Sequence, residues 1–132
     1  WGQPIGEAEL GEALASNPEA GIVFFTHNET STGVTNPLAR LAQVARDAGR
    51  LVVVDAISSA SSMPVEMDGW GLDVVLSGSQ EGWMSPPGIA FAAVGAKAWE
   101  RVERSRSPRF YFGIERVDGS CESVQIMVTR TP

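Results

Sequence analysis

Three polar clusters hold most of the side chains that could do chemistry. They are His27-Asn28-Glu29-Thr30-Ser31-Thr32-Gly33, Asp55-Ala56-Ile57-Ser58-Ser59 and Ser77-Gly78-Ser79-Gln80-Glu81. Asp55 directly follows Leu51-Val52-Val53-Val54. A carboxylate at the mouth of a buried strand needs a partner, because an unpaired buried charge is costly. That partner is either a neighbouring loop amide or a bound cation or protonated ring. His27, the only histidine, could be a metal ligand, a base or a packed ring. No second His or Cys stands at ligand spacing and Cys121 is remote, which argues against a metal site. A serine hydrolase would use His27, Asp55 and Ser77 or Ser79, yet no G-x-S-x-G elbow surrounds either serine. The sequence has no Walker loop and no G-x-G-x-x-G.

The elements that must position these clusters follow from apolar patterning. Glu7 to Ala15 reads as a short helix, ended by Asn17-Pro18. Gly21 to Thr26 and Leu51 to Val54 are continuous apolar runs, the pattern of strands buried on both faces. Between them Asn36 is placed to cap a helix, with Pro37 at its first position. That helix carries the stripe Leu38, Leu41, Ala42, Ala45 and Ala48, and Gly49 terminates it. Strand, helix and strand make a right-handed βαβ unit. His27 to Thr35 reads as a loop, and a turn is expected at Asp68-Gly69. Val74 to Leu76 is a third strand and Ile89 to Val94 a fourth. The link from Gln80 to Gly88 is too short for a crossover helix, so strand four should run antiparallel to strand three. Ala96 to Arg104 reads as a helix with Trp99 and Val102 inward. Val124 to Val128 has strand character without an assignable partner. If the first three strands are parallel, all three polar clusters meet beyond their carboxyl ends, where open α/β sheets bind ligands. On topology alone, a site and ordinary loop polarity explain the clusters about equally well. Trp70, Trp83 and Trp99 read as packing or rim residues, with Trp83, after Gly82, the most exposed.

The 132 residues suffice for one domain. Sixteen acidic against ten basic residues give a net charge of −6, which argues against nucleic acid or an anionic membrane as partner. No apolar run approaches the roughly 18 residues of a membrane span, and Trp1 to Glu9 lacks the pattern of a signal peptide. The single cysteine, Cys121, fits a reducing compartment, so a cytoplasmic location is expected. The chain opens without methionine and reads as a piece of a longer protein.

The clusters also carry a family resemblance. His27 to Val34 resembles the H-x-E-[ST]-S-T-G-V segment of class V pyridoxal-phosphate aminotransferases, nearest the alanine–glyoxylate and serine–pyruvate group. Val54 to Ser59 resembles that group's V-D-[AS]-x-[AS]-S segment. Leu72 to Gln80 with Pro86-Pro87-Gly88 resembles its D-x-x-x-S-G-S-Q-K…P-P-G segment. The similarity runs from about Trp1 to Arg109. It implies the α/β fold of a fold type I large domain, mostly parallel with one antiparallel strand. Residues 1–116 would be its central part and 117–132 a divergent, unassigned tail. By position, Asp55 would pair with the pyridine nitrogen of pyridoxal 5′-phosphate, keeping the ring an electron sink. Thr30 would bond near the phenolic oxygen, Ile57 would pack on the ring, and Gln80 would line the site. The parent reaction moves an amino group from alanine or serine to a 2-oxo acid such as glyoxylate or pyruvate, in a homodimer.

One position departs from the family. Glu81 stands where the resemblance places the Schiff-base lysine. A carboxylate cannot form that covalent bond, and it repels a nearby anion by about 4 kcal/mol at about 4 Å for an effective dielectric of about 20. Lys97, the only lysine, is expected at the start of the last helix, facing solvent. Nothing resembles the family's glycine-rich phosphate-binding segment, its ring-stacking aromatic or its C-terminal domain. The leading expectation is therefore an inactive fragment of an aminotransferase. The alternatives are a non-catalytic α/β ligand- or partner-binding module and a hydrolase using His27 and a serine.

Overall fold

The computed structural model describes residues 2–108 and the strand at 125–130. Its elements in chain order are α1 (Glu7–Ser16), β1 (Ile22–Thr26), β2 (Asn28–Glu29), β3 (Val34–Thr35), α2 (Leu38–Asp47), β4 (Leu51–Asp55), α3 (Met67–Trp70), β5 (Val74–Gly78), β6 (Ile89–Val94), α4 (Ala96–Arg104) and β7 (Gln125–Arg130). The main sheet has the order β1-β4-β5-β6-β7. β1, β4 and β5 are parallel, β5 and β6 antiparallel, and β6 and β7 parallel. The short Gln80–Gly88 link therefore makes the expected reversal. The strand expected at Val124–Val128 lies at Gln125–Arg130, beside β6. Residues 109–124 lie outside the described residues, and with them Cys121 and most of the 117–132 tail.

The apolar stripe of α2 explains the core. Leu38, Leu41, Ala42 and Ala45 are buried and pack with Phe25, Val52 and Val54 of the sheet and Leu10 and Leu14 of α1. Burying one leucine side chain fully, as at Leu41, contributes roughly 1.5–3 kcal/mol. Gly49, at φ 75°, ends α2. Its amide bonds to Arg46 O and the Arg50 amide to Ala45 O, which satisfies the last carbonyls. Asp73 fixes register between three strands at the other end of the sheet. Its buried carboxylate accepts from Val52 N at 2.7 Å, and its backbone bonds to Val52 O and Gly95 N.

Several expectations change. Strand β1 is not buried on both faces: Phe24 is 73% exposed. β1 is an edge strand whose Val23 and Phe25 face the helices, while Ile22, at its starting end, lines a cavity with Leu51 and with Arg101 and Arg104 of α4. Asn36 does not cap α2. The helix begins at Leu38 with Pro37 as its cap residue and no side-chain cap bond. Asn36 instead accepts from Ile5 N and donates to Thr26 O, both at 2.8 Å, so its side chain satisfies backbone groups distant in the sequence. The His27–Thr35 loop contains the small β2–β3 hairpin. The turn at Asp68-Gly69 is one turn of helix, α3, closed by Gly71 at φ 66°. β5 runs on to Gly78, because Ser77 and Gly78 pair with Phe91 and Ala90. In α4 the fully buried residue is Ala98, with Trp99 and Val102 half-buried.

Candidate functional site

Parallel register brings the ends of β1, β4 and β5 to one edge, with Thr26 beside Asp55 and Asp55 beside Leu76. Backbone bonds continue past the strand ends, from His27 N to Asp55 O and from Ala56 N to Leu76 O, both 2.9 Å. The three polar clusters therefore share this edge.

Asp55 is half-buried, and its neighbours in register, Thr26 and Leu76, place it on the sheet face turned away from α2. Its Oδ1 accepts from Ile57 N at 2.9 Å. Among the described residues its second oxygen takes no hydrogen bond or ion pair. The loop-amide and ligand readings thus use different oxygens of one carboxylate, and Ile57, held by that bond, is exposed beside it.

The first cluster is built around ties to the second. Asn28 Nδ2 donates to Ser58 Oγ (3.1 Å), and Ser58 Oγ donates to Asn28 O (2.8 Å). Thr35 Oγ1 donates to Asn28 Oδ1. Glu29 Oε1 accepts from Ser31 Oγ (2.7 Å) and Ser31 N (3.0 Å), and the hydroxyl first, then the amide, holds its carboxyl below the usual range. Thr30 is exposed after β2. Among the described residues no hydrogen bond joins it to Asp55, Ile57, Gln80 or Glu81.

His27 is a packed ring. It is 4% exposed, its Nδ1 lies 3.0 Å from Ser59 Oγ, and its ring makes a T-shaped contact with Trp70 at 5.9 Å between centroids. The hydrolase arrangement is not built: His27 engages Ser59, Ser77 Oγ accepts from Trp83 Nε1 at 2.9 Å, and Ser79 Oγ donates to Pro86 O at 2.7 Å. Burial lowers the His27 pKa. With the folded value below the unfolded one, the unfolded chain binds the extra proton as pH falls below about 6.5. Stability contributed by neutral His27 is then present above about pH 6.5 and lost below it. A His27→Gln variant should show a smaller loss of melting temperature between pH 7.5 and pH 5 than the parent chain. Equal slopes in the two proteins would show that His27 does not titrate on unfolding.

The third cluster is stapled through Ser79. Besides its bond to Pro86, Ser79 exchanges backbone bonds with Ile89 and Ser85, each 3.0 Å. Gln80 is exposed and Glu81 half-buried. Gly82 passes so close to the loop after β4 that a Cβ there would overlap Ser62 Oγ and lie 2.7 Å from Ala60 O. This approach pins residue 81 beside the loop that follows Asp55. Trp83 is 45% exposed, more than Trp70 or Trp99, as its loop position implies. Its indole bonds Ser77 and packs on Phe91 at 5.0 Å.

Lys97 sits at the opposite end of the sheet. β6 runs back along β5 to pair Val94 with Val74, and Lys97 follows. Its side chain is 54% exposed, with Nζ 3.2 Å from Arg50 O and 3.8 Å from Asp73. A groove of about 530 Å³ opens at that end among Arg46, Asp68, Gly71 and Lys97, and none of the three clusters reaches it. Among the described residues no three His, Cys, Asp or Glu side chains gather to hold a metal ion.

The sequence profile of the family "Aminotransferase class-V" matches residues 3–116. The chain belongs to the class V aminotransferases. Among curated relatives it is 41% identical over 117 residues to the 42 kDa subunit of a soluble hydrogenase of Anabaena cylindrica, covering 86% of this chain and 30% of that one. It is 41% identical over 119 residues to an L-aspartate–glyoxylate aminotransferase of Paracoccus denitrificans, again covering 86% and 30%. The crystal structure of an alanine–glyoxylate aminotransferase from Nostoc sp. superposes with a TM-score of 0.77 at 34% identity, over 81% of this chain and 28% of that one. The chain thus spans less than a third of the length of these relatives. Class V enzymes depend on pyridoxal phosphate, and their fold is the α/β sheet described above, mostly parallel with one antiparallel pair.

Sequence reasoning named Asn28, Asn36 and Ser58 but missed the contacts by which they and Gly82 position the class V edge. The bonds Asn28–Ser58 and Asn36–Ile5 and the approach of Gly82 to Ala60 and Ser62 each join residues at least 20 apart in the chain. No local pattern announces such contacts.

Proposed function

We propose that residues 1–116 are the central part of the large domain of a class V aminotransferase, with 117–132 a divergent segment. The whole enzyme moves an amino group from a small amino acid, alanine or serine, to a 2-oxo acid such as glyoxylate or pyruvate. The names of the Paracoccus and Nostoc relatives support the glyoxylate acceptor. Homodimer formation and a cytoplasmic location belong to the same proposal. Among the described residues no helix is long and apolar enough to cross a membrane.

The observation that carries this reading is Asp55, which offers one uncommitted carboxylate oxygen at the edge where β1, β4 and β5 end. When bound, pyridoxal phosphate supplies an electron sink, provided its ring nitrogen stays protonated. Asp55 fits that nitrogen as a hydrogen-bonded counter-ion. Ile57 fits the ring as an apolar neighbour, and Thr30 and Gln80 fit its polar rim. Residue 81 does not fit: Glu81 cannot provide the covalent anchor. This supports an inactive chain, and it is also the observation favouring the second reading, a non-catalytic α/β module that binds a ligand or partner.

Titration with pyridoxal phosphate, followed by tryptophan fluorescence, should give weak and reversible binding. Asp55→Ala should weaken it about 10–100-fold, the size of a charge-assisted hydrogen bond. Borohydride reduction should trap no stoichiometric adduct on any residue. Binding indifferent to Asp55→Ala would refute the site, and a full adduct on Lys97 would refute the placement of the helix that carries it, away from the site.

A further inference from the structure

Glu81 is a half-buried carboxylate in a fixed place. Ser79 anchors the segment before it, the Gly82 backbone presses on Ala60 and Ser62 after it, and Glu81 O accepts from Met84 N at 2.8 Å to close the turn. Yet among the described residues the Glu81 carboxylate has no hydrogen bond and no ion pair. A group so placed is stabilised by an incoming cationic donor and destabilised by an incoming acceptor. On the reading that residue 81 faces the reactive carbon of the cofactor, we infer that Glu81 makes this edge selective for the amine form, pyridoxamine 5′-phosphate, over the aldehyde form.

The chemistry separates the two forms at one atom. The aminomethyl group of the amine form carries an ammonium that donates to a carboxylate. The aldehyde oxygen offers only lone pairs, which the carboxylate repels. Ring nitrogen, methyl group and phosphate are common to both, so whatever Asp55 and Ile57 contribute cancels in the ratio. The selectivity is held in non-covalent binding and requires no bond to be made. A charge-assisted hydrogen bond available to one form alone corresponds to about 10–100-fold in affinity.

The test titrates the chain and its Glu81→Gln variant with three probes: pyridoxamine 5′-phosphate, pyridoxal 5′-phosphate and 4′-deoxypyridoxine 5′-phosphate, which lacks both groups. Equilibrium dialysis reads binding directly, and circular dichroism checks that the variant is folded. The amine form should bind about 10–100-fold more tightly than the deoxy probe, and the aldehyde form no more tightly than it. Glu81→Gln, which keeps size and removes charge, should bring the amine-to-deoxy ratio to within about threefold of unity. If all three probes bind alike and lose affinity on Asp55→Ala, the cofactor site stands and the selectivity is overturned. If no probe binds at millimolar concentration, both are overturned.

Discussion

Joined to the remainder of a class V chain, the Glu81→Lys variant should acquire the visible absorption band of a lysine-bound cofactor, together with transamination from alanine or serine to glyoxylate. The parent completed chain should show neither. The carboxylate provides no amine for covalent attachment. A carboxylate can still act as a base, so the step that is lost is the covalent one. The same substitution in the 132-residue chain alone should restore nothing. That chain has no recognisable phosphate-binding segment, and an unpositioned reactant forfeits most of the advantage of proximity. The measurement is a two-by-two comparison, Glu or Lys at 81 in the short or the completed chain. Turnover in the completed chain with Glu81 retained would show that position 81 is not the anchor.

Adding Gly82→Val to the completed Glu81→Lys chain should remove about 100-fold of the recovered kcat/KM. A side chain at 82 has no room, since its Cβ would meet Ser62 Oγ and lie 2.7 Å from Ala60 O and 2.9 Å from Ser62 N. Two of those atoms are backbone, so the 80–83 segment must move instead. A shift of about 1 Å at a reacting group costs on the order of 100-fold, and forced overpacking costs about 1–3 kcal/mol of stability. Urea unfolding and steady-state kinetics on the same samples check both. Unchanged values in the two assays would mean that the loop after β4 yields without disturbing residue 81.

What was legible in the sequence was local or periodic. Leu51-Val52-Val53-Val54 announces a strand, the Leu38–Ala45 stripe a helix, and the nine residues from Gln80 to Gly88 an antiparallel return. Three motifs in order give the family. What was illegible depends on groups distant in the chain. Asn36 looks like a helix cap because the local sequence shows only Pro37 and Leu38. Its partners are Ile5 and Thr26. The apolar run Ile22-Val23-Phe24-Phe25 promises burial on two faces, but the described residues cover one of them along most of its length. His27 invited catalytic readings by being unique, and only the third dimension places it between Ser59 and Trp70. At the site, the motifs located Asp55 and residue 81, while the Gly82 contact that couples their loops has no sequence signature.

The position of Lys97 also decides how the chain can be handled. It carries the only side-chain amine in the sequence, more than half of its side chain meets solvent, and it lies at the end of the sheet away from Asp55 and Glu81. Besides the α-amine at the start of the chain, an amine-reactive dye, biotin or sensor surface finds one side chain to couple to, and coupling there leaves the edge that carries Asp55 and Glu81 open.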